Sequence, residues 1–338
     1  MQTLHHDDVS AVRIALETAT TRWRDCASPF EMIAAITGSN GFIGQHLVRC
    51  FGESGWTVRA VSRRDIEAGC LSECFANADV VVHAAGATRA PIVAQLRQSN
   101  VALTKQVLEA ARDAHVGRFI FVSSLAAAGP ARSITEPADE ETTPAPIEAY
   151  GQSKLDAERM VSSTAETPFV IVRPAAVYGP ADRDFLALFR LARRGIAIHP
   201  ANRDHWLSII HAADVAAAIV RCASATEALG RIYCLGNDEP VQWAELFRLV
   251  AQCSGRVLAV DAELPEVVVD SAAFVGDIAA RVTGRAGLLT SGKVALAKER
   301  FWTCSNERAK RELGITPVVP LEQGLCATLE WYVEHGWL

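Results

Sequence analysis

The run Ile33-Ala34-Ala35-Ile36-Thr37-Gly38-Ser39-Asn40-Gly41-Phe42-Ile43-Gly44 passes from apolar residues into a glycine turn, then into an amphipathic stretch that continues through Phe51. A short unbroken apolar run fits a strand buried on both faces. The glycines at 38, 41 and 44 permit a tight turn and let the backbone come close to a pyrophosphate. A helix opening straight after the turn offers that anion free N–H groups and a partial positive charge. Strand, turn and helix in this order predict a dinucleotide site, with Gly38, Asn40, Gly41, Phe42, Ile43 and Gly44 as its phosphate cradle.

Outward from this motif, the chain alternates short apolar strands with helical stretches. Strands are expected at Thr57–Val61, Asp79–His83, Arg118–Val122 and Phe169–Val172, with a long helix over 91–114. The pattern predicts an α/β fold, a doubly wound parallel sheet covered on both faces with right-handed crossovers. A dinucleotide-binding domain is assigned to 31–174, with 205–225 returning to it. Most of 175–338 reads as a smaller mixed α/β substrate lobe. In it, helices are expected near 182–194, 212–225, 240–254, 266–283, 305–313 and 321–335, and strands near 205–210 and 231–235. Residues 1–30 read as a helical extension, with Val12, Leu16, Ala19 and Trp23 on one face. Ile134 to Pro146, rich in proline and acid, reads as a loop placed to act as a lid.

Composition narrows the function classes. Half of the 338 residues are hydrophobic, enough for a large core, and the net charge of −6 carries no basic block of the kind that grips nucleic acid. No apolar run is long enough to span a membrane, and the N-terminus lacks the pattern of a secretory signal. Nine cysteines at scattered spacing, with no Cys-x-x-Cys, suit neither a disulfide framework nor a zinc site. They are expected to be reduced, in a cytoplasmic protein, and no metal is expected.

Three further places carry chemistry. Arg63 and Arg64 follow the second strand, where an acid would accept from the ribose of NAD; arginine suits the 2′-phosphate of NADP instead. Ser123-Ser124 ends the strand at 118–122, which puts Ser124 at the carboxyl edge, within reach of an oxygen on which charge develops. Tyr150 and Lys154 are one helical turn apart on the same face. An ammonium about 4 Å from the phenol would lower its pKa by up to roughly 3 units at an effective dielectric of 20, making it a competent proton-exchange group.

With these elements in this order, the chain resembles the extended short-chain dehydrogenase/reductase family, whose sheet is of the Rossmann type. Further matches are Asp79-Val80-Val81-Val82-His83-Ala84-Ala85-Gly86, Asn100-Val101, Arg173-Pro174-Ala175-Ala176-Val177-Tyr178-Gly179-Pro180, Ser208 to Ala216 and Ala309 to Gly314. The resemblance covers about 31–338. It implies a Ser124, Tyr150 and Lys154 triad, with Lys154 also holding the nicotinamide ribose. It implies a cofactor groove lined by Ala84, Ala85, Gly86 and Asn100, and a nicotinamide flanked by Pro174 and Val177. Arg89, Tyr178 and Arg203 are the candidate substrate contacts beside Ser124. His83 and His211 are expected to make structural hydrogen bonds. A homodimer is the common assembly of the family.

The departures from the family narrow the reaction. Dehydratases carry an Asp-Glu pair after the catalytic hydroxyl residue, whereas Ser124 is followed by Leu125-Ala126-Ala127. Many nucleotide-sugar epimerases carry a diphosphate-clamping arginine where this chain has Leu207, with Arg203 nearby. The segments 57–63 and the C-terminal helices are similar to the dihydroflavonol-reductase and hydroxysteroid-dehydrogenase branches. The expectation is therefore an NADP(H)-dependent oxidoreductase, NADP in preference to NAD, that interconverts a small-molecule ketone and a secondary alcohol. The alternatives are a nucleotide-sugar 4-epimerase or 4-keto-sugar reductase and, least favoured, a non-catalytic cofactor-binding regulator.

Overall fold

A computed structural model describes residues 32–163, 166–200, 204–283 and 290–338. The expected N-terminal helix and Arg203 lie outside the described residues. Six strands, β1 (Ile33–Thr37), β2 (Thr57–Val61), β3 (Val80–His83), β4 (Arg118–Val122), β5 (Phe169–Pro174) and β6 (Arg231–Leu235), form one parallel sheet in the order β6-β5-β4-β3-β1-β2. Helices α1 (Phe42–Glu53), α2 (Leu103–Asp113), α3 (Ala149–Ser163) and α4 (Ala212–Ser224) cover it. The second lobe carries α5 (Trp243–Cys253), α6 (Glu266–Thr283), α7 (Ser291–Lys298) and α8 (Leu321–Glu334).

The apolar runs are unbroken because both faces of the sheet are dry. Ile36, Val82, Ile120 and Val172 pack on one face against Leu47 and Phe51 of α1 and Val215 and Ile219 of α4. Ala35, Val81, Phe119, Phe121 and Ile171 pack on the other against Val107 and Leu108 of α2 and Ala157 and Val161 of α3. The strand order reverses beside β1, whose neighbours are β3 and β2, so a crevice opens at the carboxyl ends of β1 and β3, the place where such sheets bind ligands.

Three features depart from the sequence reading. The expected helix over 91–114 is interrupted: Val93–Arg97 is α-helical, Gln98–Ala102 makes a π turn, and α2 follows. Arg231–Leu235, counted with the second lobe, pairs with β5 as the sixth strand of the main sheet. The segment 134–146 is fastened to the rest of the chain, where a lid would hang free. Ala138 bridges Cys304, the Ala138 N–H donates to the Thr303 carbonyl at 3.0 Å, and the Cys234 N–H donates to the Glu140 carboxylate at 2.7 Å.

The second lobe has its own core of Tyr178, Phe189, Phe247, Leu329 and Tyr332. Within it a Cys253–Cys326 disulfide ties the end of α5 to α8 across 73 residues of sequence. This corrects the expectation of wholly reduced cysteines, so the cysteines no longer argue for a reducing compartment. The spacing that hides the pair in the sequence is the length of chain between two helices that pack side by side. No helix among the described residues is long and apolar enough to cross a membrane. Closing a loop of this length restricts the unfolded chain, so Cys253→Ser should lower the stability of the second lobe by about 2–4 kcal/mol. Thermal unfolding with and without reductant, beside peptide mapping of the non-reduced protein, checks this.

Candidate active site

The glycine turn is built for close approach. Gly38 has φ +71, and a Cβ there would stand 2.7 Å from the Ala85 backbone nitrogen; a Cβ on Gly44 would stand 2.0 Å from the Gly38 carbonyl oxygen. The Gly41 N–H donates to the Gly38 carbonyl at 2.8 Å, closing the turn. No side chain caps the N-terminus of α1, so its first N–H groups are open to an anion. These residues fit a pyrophosphate. Asn40 is exposed and accepts from the Gln45 side chain through its own carbonyl, Phe42 meets the His46 ring edge-on, and Ile43 packs on the sheet core.

Across the crevice, the loop after β3 is held by Asn100 in the π turn. The Asn100 amide oxygen accepts from the Ala87 N–H at 2.8 Å, and its nitrogen donates to the Ala87 carbonyl and to the Ser153 hydroxyl, both at 2.9 Å. Ser153 donates in turn to the Tyr150 carbonyl at 2.7 Å. One amide thus fixes the Ala84–Ala87 loop and the first turn of α3 together. Beneath it, Thr104 donates to the Asn100 carbonyl, so the Thr104 oxygen accepts from His83 Nε2 at 3.0 Å and His83 Nδ1 accepts from Thr37 at 2.7 Å. Burial pushes the His83 pKa down to about 3, so the ring is neutral and structural.

Ser124 and Tyr150 meet at the carboxyl edge of β4, and Lys154 reaches the end of that strand through the Val122 carbonyl. Ser123 and Ser124 are told apart by their surroundings: Ser123 is buried and donates to Glu158 at 2.5 Å, while Ser124 caps the short 3₁₀ turn 125–127 and hydrogen-bonds Tyr150. Burial, helped by the carboxylates of Glu148 and Asp184 and opposed by the Ser124 hydrogen bond, raises the Tyr150 pKa to about 12. Lys154 donates to the Val122 carbonyl at 2.6 Å and lies 4.4 Å over the Phe121 ring. Burial lowers its pKa to about 8, against the pull of Glu158. The expectation that Lys154 would draw the phenol down is not met: the ammonium turns to the strand carbonyl, and desolvation governs the phenol.

Several contributors went unseen in the sequence. Glu158, one turn beyond Lys154, forms an ion pair with Arg173 at 2.7 Å, both side chains 3% exposed. The i, i+4 step from Lys154 was its only signal. Glu148 receives the Tyr150 N–H at 2.6 Å and the Gly151 N–H at 2.5 Å and so caps α3. Arg89 reaches Asp184 at 2.5 Å, and Lys293 of α7 reaches the same carboxylate at 3.1 Å. Asp184 acts electrostatically on Tyr150, so this cluster rims the site.

The model of the NAD dependent epimerase/dehydratase family matches residues 34–236. The chain belongs to that family. It is 30% identical to a ceramide reductase of Caulobacter vibrioides over 328 residues, which covers 90% of this chain and 96% of the relative. It is 28% identical over 318 residues to a 4-hydroxy-2-methyl-3-oxo-4-farnesyl-3,4-dihydroquinoline-1-oxide ketoreductase of Stigmatella aurantiaca, covering 86% and 94%. A solved structure of MoeE5 in complex with UDP-glucuronic acid and NAD is 25% identical, with TM-score 0.72, covering 89% of this chain and 99% of the other. The protein is thus an extended short-chain dehydrogenase/reductase, an NAD(P)-dependent enzyme of the oxidoreductase and epimerase class.

Within this family member, the remaining sequence candidates divide. Tyr178 is corrected: it is 2% exposed, stacks edge-on with His211, and its hydroxyl faces Gly324 of α8, so it is core and not a substrate contact. His211 caps α4 by accepting from the Ala213 N–H, and burial lowers its pKa to about 3. Pro174 is buried at the end of β5, and Val177 packs on the sheet core beside it. Arg63 and Arg64 are exposed at the end of β2, and Asp65 is occupied by the Ser62 N–H and hydroxyl. Among the described residues no group of His, Cys, Asp and Glu is placed to hold a metal ion. Because Asn100 leaves two backbone groups of Ala87 without partners when removed, Asn100→Ala should cost about 2–3 kcal/mol and weaken cofactor binding more than it changes the fold. Chemical unfolding paired with cofactor titration separates the two effects.

Proposed function

We propose that the enzyme reduces a ketone to a secondary alcohol with NADPH, and runs the reverse when the alcohol and NADP predominate. The observation that carries this reading is the hydrogen-bonded Ser124–Tyr150 pair, with Leu125-Ala126-Ala127 after Ser124 and so no acid there to drive elimination. A phenol with a pKa of about 12 is protonated at neutral pH and is ready to donate. Tyr150 delivers the proton to the carbonyl oxygen, and Ser124 polarises that oxygen as charge develops on it. Lys154 orients the nicotinamide ribose. The bound nicotinamide supplies the hydride. Gly38, Gly41 and Gly44 with α1 hold the pyrophosphate, Ala84–Gly86 border the groove, and Asn100 holds that border in place. Arg89 at the rim is the candidate substrate contact.

Two features support NADPH: the exposed cations Arg63 and Arg64 at the end of β2, and the engagement of Asp65 by Ser62. The likeness to a ceramide reductase and to a ketoreductase of a farnesyl-bearing quinoline, each over nearly the whole chain, supports a ketone on a long-chain or isoprenoid lipid. The second reading, 4-epimerisation or 4-keto reduction of a nucleotide sugar, draws on the likeness to MoeE5 with its UDP-glucuronic acid. Against it stands Leu207, 4% exposed in a strand paired with Val241, where a diphosphate clamp would need a cation.

Tyr150→Phe should lower kcat by about 10² to 10⁴ while leaving the Kd for NADPH unchanged, since the phenol moves the proton and the phosphates bind elsewhere. Following NADPH absorbance with keto lipids and nucleotide sugars tests the reaction; epimerisation without net cofactor use would replace this reading with the second. Arg63→Ala should weaken NADPH by about tenfold or more, as a charged hydrogen bond is lost, and leave NADH affinity where it was. Calorimetric titration of both cofactors decides.

A further inference from the structure

Helix α6 is apolar on the side that meets the protein and also on the side that meets solvent. Val269, Ala273 and Ala280 face inward, with Val269 and Ala273 packed on Val294 of α7. Val267, Val268, Phe274, Val275, Ile278 and Val282 face outward and are between 45% and 80% exposed. Five of these six, at 267, 274, 275, 278 and 282, recur at helical spacing and form one continuous stripe, with Val268 at its edge. Single exposed apolar residues are ordinary, but a stripe along a whole helix marks a surface that something covers.

The charges of the helix are turned away from this stripe. Lys298 of α7 lies 3.8 Å from Glu266 and 2.8 Å from Asp270, and Asp277 accepts from the Ser291 hydroxyl at 2.5 Å. All three carboxylates of α6 therefore address α7. The one hydroxyl on the outward side, Ser271, donates to the Val267 carbonyl at 2.6 Å and is satisfied within the helix. Arg281, exposed in the last turn, is the one charged residue of α6 not turned to α7 in these contacts. Four charged residues in a helix of 18 do not suit a bilayer core, so the pattern is that of a helix lying in a lipid surface rather than crossing it.

The place of the helix ties it to the chemistry. A Cβ on Gly292 of α7 would lie 3.8 Å from the Glu148 Cβ, and Lys293 binds Asp184; Glu148 and Asp184 are the two carboxylates acting on Tyr150. The α6–α7 hairpin is thus a wall of the active-site rim, with its apolar stripe on the outside. We propose that the outward face of α6 docks on a lipid bilayer, lying among the headgroups, so that a membrane-borne keto lipid reaches the Tyr150 side of the fold. The inference rests on the lipid-ketone reading above, and within α6 the turning of all three carboxylates to α7, with Arg281 left beside the stripe, suits phospholipid headgroups.

Flotation with phosphatidylcholine vesicles, with and without phosphatidylglycerol, tests it on the full chain. The wild-type protein should float with the vesicles. Phe274→Glu/Val275→Glu should lower partitioning by about tenfold or more with NADPH affinity unchanged. Wild-type protein that stays in the aqueous fraction, or a variant that floats equally well, overturns the proposal. A benzoylphenylalanine placed at position 274 reports the occupant on irradiation: crosslinks to lipid support the proposal, and crosslinks to a second copy or to another segment of the same chain overturn it. Flotation is read without substrate. A protein that floats but reduces no keto lipid therefore removes the substrate reading alone, and one that stays in solution yet reduces a detergent-dispersed keto lipid removes the docking alone.

Discussion

Contact between the first turn of α1 and the end of β1 leaves no room for a side chain. A Cβ on Gly44 would overlap the Gly38 carbonyl, and one on Gly38 would overlap the backbone of the loop after β3. Three segments can therefore touch only through glycine, and their touching sets the rest. It aims the N-terminus of α1 at the crevice, brings Ala84–Ala87 to its far side, and fixes the height of the carboxyl edge along which Ser124 and Tyr150 stand. Steric exclusion of this kind is steep: no side-chain rotamer relieves a clash between a Cβ and a backbone oxygen.

Around that contact the polar groups are chained so that few are left to choose their partners. Thr37, His83, Thr104 and Asn100 form one line of hydrogen bonds, and Asn100 passes it to Ala87, Ser153 and Tyr150. The line runs from β1 through β3 and the π turn to α3, linking the loop after β3 to the turn that carries Tyr150. The π turn has a physical purpose in this reading. One extra residue in the turn carries Asn100 round to face the loop and α3 together, while α2 continues to cover the sheet.

Desolvation dominates the electrostatics of the site. It holds Tyr150 protonated and weakens the hold of Lys154 on its proton, and a second buried pair, Glu158 with Arg173, supplies the charge that opposes it on the lysine. Buried pairs of this kind seldom add much net stability, because two charges must leave water to form them. Their consequence is positional: Glu158 also takes the Ser123 hydroxyl, which leaves Ser124 to face the phenol. At the rim, Asp184 joins Arg89 to Lys293 and so couples the loop after β3 to the α6–α7 hairpin of the second lobe.

The amino-acid sequence by itself determined the parallel sheet, the glycine turn before α1 and the family, because each is written in local signals: unbroken apolar runs, glycines where backbones meet, and a tyrosine and lysine one helical turn apart. It also placed the helices near 240–254, 266–283 and 321–335 close to where they lie. Tertiary structure decided what depends on partners distant in sequence. Arg231–Leu235 becomes the sixth strand because β5 offers it a free edge. Cys253 meets Cys326 because α5 and α8 pack together. Tyr178 turns from substrate contact to core because Gly324 makes room for its hydroxyl. Lys154 turns to the Val122 carbonyl, where spacing alone pointed it at Tyr150, because the nearest acceptor belongs to the strand beneath. Periodicity fixes which side of a helix a residue occupies; only the packing of that side against the rest of the chain fixes which group it meets.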